Sequence, residues 1–193
     1  MRKPENKETS QILVDAFKRV IEEKPFKDII IKDITDEAGI FRATFYNYFE
    51  DKYALFDYIM YEELFSVVDK LIENNMISEG ISLIFQYFFN NQKFYKRAFK
   101  YEGPNSCQEY LESYLKQYLM KILDTTNPKI KQEYHSIVTQ EDFIHLIVAL
   151  LKESIITSIN SEDPIEHSSA RYEALILFFT EGLKPFFYDS DKW

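Results

Sequence analysis

The chain has 193 residues, with 23 basic and 32 acidic side chains and a formal net charge of -9. Only 4 glycines occur, at scattered positions, which excludes the clustered glycines of P-loop and dinucleotide-binding enzymes. A single cysteine excludes an internal disulfide and a cysteine-based zinc site. Hydrophobic residues make up 46% of the chain, so we expect a folded protein of one large or two small domains.

No segment has the length or composition of a membrane helix. The longest uncharged run, residues 80–92, is shorter than the roughly 20 apolar residues that a membrane helix requires. The polar N-terminal segment lacks the apolar core of a secretory signal. We therefore expect a cytoplasmic protein with no membrane partner.

Apolar residues recur at helical spacing along almost the whole chain, and no alternating strand pattern exceeds four residues. The predicted fold is therefore all-α, with an N-terminal helix-turn-helix domain over residues 1–50 and a C-terminal helical bundle over 51–193. In chain order, the predicted helices are one that ends before Pro25, then 31–38, 42–49, 52–72, 78–90, 92–100, 106–123, 140–160 and 168–187.

Residues 31–49 follow the pattern of a helix-turn-helix: a short helix, a glycine turn at Gly39, and a second short helix. The apolar positions Ile34, Ala38, Ile40, Phe45 and Phe49 are expected to face inward. The outer face then carries side chains that can contact bases and phosphates of a DNA duplex: Arg42, Ala43, Thr44, Tyr46, Asn47 and Tyr48. A plain helical hairpin with the same core is the alternative interpretation.

The net negative charge argues weakly against nucleic-acid binding, since phosphate contacts require basic side chains. The charge is unevenly distributed, however. Residues 1–60 contain 10 basic and 12 acidic groups, whereas the remainder contains 13 and 20. If any part of the chain contacts DNA, we expect it to be the first part.

The stretch IKDITDEAGIFRATFYNYFEDKYALF resembles the DNA-binding domain of the TetR family of bacterial transcriptional regulators. The shared features are Ile34, the turn around Gly39, the FYNYF run at 45–49 and Lys52. The FYNYF, NQKFYKRAF and KESII segments are similar to the subgroup that includes regulators of dihydroxyacetone kinase genes. The resemblance implies a homodimer that binds a double-stranded operator and responds to an effector, either a small molecule or a protein.

The same resemblance implies roles for individual residues. Arg42, Ala43, Thr44 and Asn47 would meet base edges or adjoining phosphates. Tyr46, Tyr48 and Lys52 would anchor the phosphate backbone, and Lys32 would add a contact near the start of its helix. The chain departs from the family at Phe41, which cannot cap the recognition helix, and at the acidic pair Asp36-Glu37.

Two features of the C-terminal half bear on assembly and sensing. The helices at 140–160 and 168–187 are apolar on nearly every side, which predicts that they pair with a second copy as a four-helix bundle. Aromatic residues and one histidine suggest an effector pocket between the long helix and the helices at 106–123 and 140–160; the candidates are Phe88, Tyr95, Tyr110, Tyr114 and His145. Packing of these residues into the core is the alternative interpretation.

Signatures of enzymes are missing from the sequence. His135, His145 and His167 lack the paired spacing of metal ligands, and no serine lies in a nucleophile-elbow motif. Cys107 is interpreted as a packing residue. We therefore predict a regulator with no metal and no cofactor. The second hypothesis is a helical interaction protein that binds DNA weakly or not at all.

Overall fold

The computed structural model describes residues 7–126, 129–130, 139–161, 173–174, 177–178, 181 and 187–188. The α-helices are α1 (Lys7–Glu23), α2 (Ile31–Ala38), α3 (Arg42–Tyr46), α4 (Lys52–Met60), α5 (Ser66–Glu73), α6 (Ile77–Asn90), α7 (Gln92–Ala98), α8 (Cys107–Thr126) and α9 (Gln140–Asn160). A 3-10 turn occupies Phe26–Asp28, and a π-helical segment, Tyr61–Phe65, joins α4 to α5.

The all-α prediction is confirmed. The described strands are limited to a two-residue antiparallel pair, β1 (Lys129–Ile130) and β2 (Phe187–Tyr188). No helix among the described residues is long and apolar enough to cross a bilayer.

The predicted helices agree with the observed ones except at three places. The helix predicted at 42–49 ends at Tyr46. The helix predicted at 52–72 contains the π-helical segment, a local distortion that inserts extra backbone into the helical ladder. The helix predicted at 168–187 lies mostly outside the described residues.

Two compact units divide the chain. The first contains the described residues up to Glu63 together with Asn91–Tyr110, and the second contains Leu64–Asn90 with the described residues from Leu111 onward. This division differs from the sequence-based boundary at residue 50, because α4 and the segment around α7 belong to the first unit. The predicted functional boundary stays a prediction.

The core of the first unit is built from aromatic rings. Phe17 of α1 packs edge-on against Phe26 and Phe94, and Phe56 of α4 contacts the same two rings. All four side chains are buried. The helix-turn-helix therefore rests on a rigid base of α1, α4 and α7.

In the second unit, α5 and α6 approach closely at Gly80, where an added Cβ would already be in van der Waals contact with Val68. On α8, the ring of Tyr114 stacks on Phe65 with centroids 4.3 Å apart. Tyr118 of the same helix donates a hydrogen bond from its hydroxyl to the carbonyl oxygen of Phe65, at 2.8 Å. These contacts hold α8 against the end of the π-helical segment.

Candidate nucleic-acid interface

The turn between α2 and α3 forms because Gly39 adopts the left-handed conformation, with φ 67° and ψ 30°. This backbone region is costly for residues with a Cβ, and glycine enters it freely. The amide of Gly39 donates to the carbonyl of Asp36, and that of Ile40 donates to the carbonyl of Thr35. The chain therefore reverses directly after α2, as the sequence predicted.

The inner faces of α2 and α3 are apolar and packed. Ile34, Phe45 and Phe49 are buried, while Ala38 and Ile40 are half-buried. This packing fixes the rotation of α3 about its axis and hence decides which side chains face solvent.

Four of the six residues predicted on the outer face are exposed: Arg42, Ala43 and Tyr46 of α3, and Asn47, which follows its last residue. The other two, Thr44 and Tyr48, are half-buried. The guanidinium of Arg42 donates a 3.1 Å hydrogen bond to the hydroxyl of Tyr46 and lies 5.8 Å from its ring centroid. The two side chains thus form one polar surface with donors and a hydroxyl available to a ligand.

Both helices of the motif begin without a side-chain cap. At α3 the N-cap position is Phe41, whose side chain is 85% exposed and makes no capping hydrogen bond. At α2 the N-cap position is Ile30, and its amide donates to the Asp33 carboxylate at 2.8 Å. Partial burial opposes ionisation of Asp33, but this hydrogen bond and that from Lys24 lower its pKa.

The acidic pair after α2 is engaged in ion pairs. Asp36 pairs with Lys32 one helical turn earlier, and Glu37 pairs with Arg19 of α1. The hydrogen bond with Asp36 raises the pKa of Lys32. Two of the acidic charges near the motif are therefore locally neutralised, and Lys32 would have to share its ammonium between Asp36 and any phosphate.

Lys52 does not occupy the exposed position that its expected role requires. Its side chain is buried, and its Nζ donates to the carbonyl oxygens of Phe26, Lys27 and Ile29 at 2.7, 3.1 and 2.8 Å. Desolvation lowers the pKa of the ammonium. The resemblance-based assignment of a phosphate contact is corrected here: all three ammonium donors are used to hold the segment that precedes α2.

The five predicted pocket residues are divided between the two compact units. Tyr95 and Tyr110 belong to the first unit, and Phe88, Tyr114 and His145 belong to the second. Phe88 and Tyr95 are fully buried core residues, with 1% and 0% exposure. Neither unit assembles all five into a single pocket.

His145 lies on the exposed face of α9, whereas the sequence suggested a core or pocket position. The same face exposes Leu146 by 58% and Leu150 by 42%, while Phe143, Ile144, Ile147 and Val148 are buried. The helix thus has one face packed in its unit and a second apolar face open to solvent. Cys107, by contrast, is buried as predicted, and desolvation raises the pKa of its thiol.

An α-helical chain with a glycine turn, a packed inner face and an exposed polar α3 defines a helix-turn-helix protein. Two family models match it. Residues 13–59 match "Bacterial regulatory proteins, tetR family", and residues 75–149 match a "Transcriptional regulator C-terminal region". The chain belongs to the TetR family of transcriptional regulators, which are not enzymes.

One curated relative, the HTH-type dhaKLM operon transcriptional activator DhaS of Lactococcus lactis, is 26% identical over 153 residues, covering 77% of this chain and 80% of the relative. A solved structure titled as a dihydroxyacetone kinase operon activator DhaS shares the fold, with a TM-score of 0.61 and 21% identity over 93% of this chain and 98% of the other. The fatty acid degradation regulator FadR from Bacillus halodurans superposes with a TM-score of 0.63 at 17% identity and the same coverage.

Proposed function

We propose that this regulator binds a double-stranded operator through α3, and that it does so as a homodimer. The observation that carries the proposal is the exposed surface formed by Arg42, Ala43, Tyr46 and Asn47 above a buried inner face. Arginine and asparagine can each make paired hydrogen bonds to a base edge in the major groove, and tyrosine can bond phosphate oxygens. A dimer would read two half-sites separated by roughly one helical turn.

The proposed contacts combine the exposed side chains with two half-buried ones, Thr44 and Tyr48. Arg42, Ala43, Thr44 and Asn47 meet base edges or adjoining phosphates, and Tyr46 and Tyr48 contact the phosphate backbone. Lys32 adds a phosphate contact at the expense of its pair with Asp36. Lys52 contributes indirectly, because it holds the carbonyls of the segment that leads into α2.

The proposed dimer interface includes the exposed face of α9. Leu146 lies one turn before Ala149 and Leu150 on that face, where water would otherwise contact a continuous apolar strip. Leu177 and Phe178, in the region of the second predicted interface helix, are exposed by 61% and 49%. Pairing with a second copy would bury both surfaces.

We also propose that an effector, a small molecule or a protein, controls operator binding through the C-terminal half, and that the protein acts in the cytoplasm. The curated relative is named as an activator, which supports activation rather than repression for this chain. Deletion of the gene should then lower the expression of a reporter fused to the target promoter.

The test of DNA binding is a fluorescence anisotropy titration with duplex DNA from upstream of the protein's own gene, at several salt concentrations. We expect Arg42→Ala and Asn47→Ala to weaken binding by about 1–3 kcal/mol at their own base pairs and to relax base preference there. Tyr48→Phe should weaken binding to all DNA sequences by the same factor.

The matched control is Gln11→Ala, an exposed polar residue of α1 that bonds Asp15 and has no proposed DNA contact. It should bind like the unaltered protein. If the unaltered protein shows no sequence preference, and Arg42→Ala changes nothing, the chain is instead a helical interaction protein with a TetR fold.

A further inference from the structure

A basic cleft lies in the first compact unit, and none of the side chains assigned to DNA lines it. Its volume is about 420 Å³, and its walls are Pro25, Phe26, Lys27, Arg97, Lys100 and Tyr101. This volume falls within the range of small-molecule sites, roughly 300–1,000 Å³. Half of the lining residues carry a positive charge, in a chain whose formal net charge is -9.

The three cations of the cleft are exposed, and none forms an ion pair among the described residues. Other cations of the same unit do: Lys18 pairs with Glu63, Lys24 with Asp33, and Lys93 with Glu22. The acidic neighbours in sequence, Asp28 and Glu102, do not line the cleft. Its positive charge is therefore available to an incoming anion.

Contacts with neighbouring residues fix the positions of Phe26, Lys27 and Tyr101 in the cleft wall. The rings of Phe26 and Tyr101 lie 5.5 Å apart, and the Tyr101 hydroxyl donates to the carbonyl of Pro104 at 3.2 Å. A Cβ at Gly103 would collide with that hydroxyl, so the glycine permits this arrangement. Lys52 binds the backbone carbonyls of Phe26 and Lys27. The aromatic walls are thus preorganised rather than formed on binding.

We infer that this cleft is a binding site for a small organophosphate, with Lys27, Arg97 and Lys100 on the phosphate and the ligand's body against Tyr101, whose ring packs on the buried Phe26. A phosphate monoester suits the site better than a monocarboxylate, because its greater negative charge and additional acceptor oxygens can engage three cations. The half-buried ring of Tyr101 favours a ligand with a planar or apolar body over inorganic phosphate.

The test uses the full chain, isothermal titration calorimetry and three probes: phenyl phosphate, inorganic phosphate and phenol. We expect one phenyl phosphate per chain, weaker binding of inorganic phosphate, and no binding of phenol. Arg97→Gln and Lys100→Gln should each weaken phenyl phosphate by about tenfold or more, as expected for a charge-assisted hydrogen bond. Both residues are exposed, so the melting temperature of each variant should match that of the unaltered protein.

Lys96→Gln is the matched control, because it removes the same charge from α7 at a position that does not line the cleft. It should leave phenyl phosphate binding unchanged. The inference is overturned if Lys96→Gln weakens binding as much as Arg97→Gln, or if phenyl phosphate does not bind at millimolar concentration.

A nonspecific DNA duplex tests whether the cleft binds phosphates of the DNA backbone instead of a small organophosphate. If the duplex, but not phenyl phosphate, loses affinity in Arg97→Gln and shows a smaller salt dependence, the cleft contacts the DNA backbone and the small-ligand assignment is wrong. Phenyl phosphate binding does not require operator recognition, so a failure of the proposed DNA contacts leaves this inference standing.

Discussion

Replacing Lys52 with methionine separates a structural role from a phosphate-binding role. Methionine keeps a chain of similar length but removes the ammonium that donates to the carbonyls of Phe26, Lys27 and Ile29. The first effect of Lys52→Met should therefore be on folding, and any loss of DNA binding should follow from it.

The magnitude follows from the carbonyls left behind. Two of the three hydrogen bonds, those to Phe26 and Ile29, are buried, whereas the bond to Lys27 is only partly so. The substitution removes the ammonium donor from both buried carbonyls, but the carbonyl of Phe26 keeps the amide of Ile29 as a donor, at 3.3 Å. A buried carbonyl without a partner costs about 1–3 kcal/mol, and this cost applies to Ile29. Relief of the desolvated ammonium offsets part of it, so we expect a net loss of about 2 kcal/mol. For a chain of this size that corresponds to a fall of about 4–8 °C in melting temperature.

The assay is thermal unfolding by circular dichroism, followed by anisotropy titrations of operator DNA at a temperature where both proteins are folded. Lys32→Met is the matched control, since the side chain of Lys32 is 66% exposed and its ammonium pairs with Asp36 on the surface. It should leave the melting temperature nearly unchanged. It should also reduce the salt slope of DNA binding by about one unit if Lys32 contacts a phosphate.

One combination of results would refute the structural role. The result would be an unchanged melting temperature for Lys52→Met together with a salt slope of DNA binding that falls by about one unit. The ammonium would then contact a phosphate, and the fold would not depend on its bonds to the three carbonyls.

Three further outcomes are expected. Phe41→Ser should raise the melting temperature by about 2–4 °C, because serine supplies the missing cap of α3, worth about 1 kcal/mol, and the exposed phenyl ring contributes little packing. Leu146→Glu should convert the dimer to a monomer in sedimentation experiments, whereas Met120→Glu, at a similarly exposed apolar position of α8, should leave the dimer intact. The hydrogen bond with Tyr101 raises the pKa of Tyr53 to about 12 from the ordinary 10.0. The contribution of this bond to stability is therefore present below pH 10 and lost as pH rises through about 12. In a phenolate absorbance titration, Tyr53→Phe should lack this late-titrating group.

The helix-turn-helix could be predicted because its determinants are local. Gly39 allows the left-handed turn, and the spacing of Ile34, Phe45 and Phe49 fixes which faces of the two short helices pack together. Once the inner face is known, the outward residues follow from the geometry of an α-helix.

The environment of Lys52 could not be predicted in the same way. A lysine in the first turn of a helix is ordinarily solvent-exposed, and nothing in the surrounding residues indicates burial. Its carbonyl partners lie 23–26 residues earlier in the chain and meet it only when the first unit is packed. The basic cleft was missed for the same reason, because Lys27 and Lys100 come together only in the folded unit.

The two faces of α9 show what an apolar pattern determines and what it leaves open. The run FIHLIVALL indicates that both sides of the helix must be covered, but it does not say which side the same chain covers. The helix α9 packs against α6, and Ile144 and Ile147 are buried, whereas His145 and Leu146 are exposed on the other side. Exposure of that second side would cost the free energy of hydrating an apolar strip, at roughly 25 cal/mol per Å². In the proposed dimer, a second copy of the chain would remove this cost with the same surface on both partners, and an interface of that kind would have the two-fold symmetry that a pseudo-palindromic operator requires.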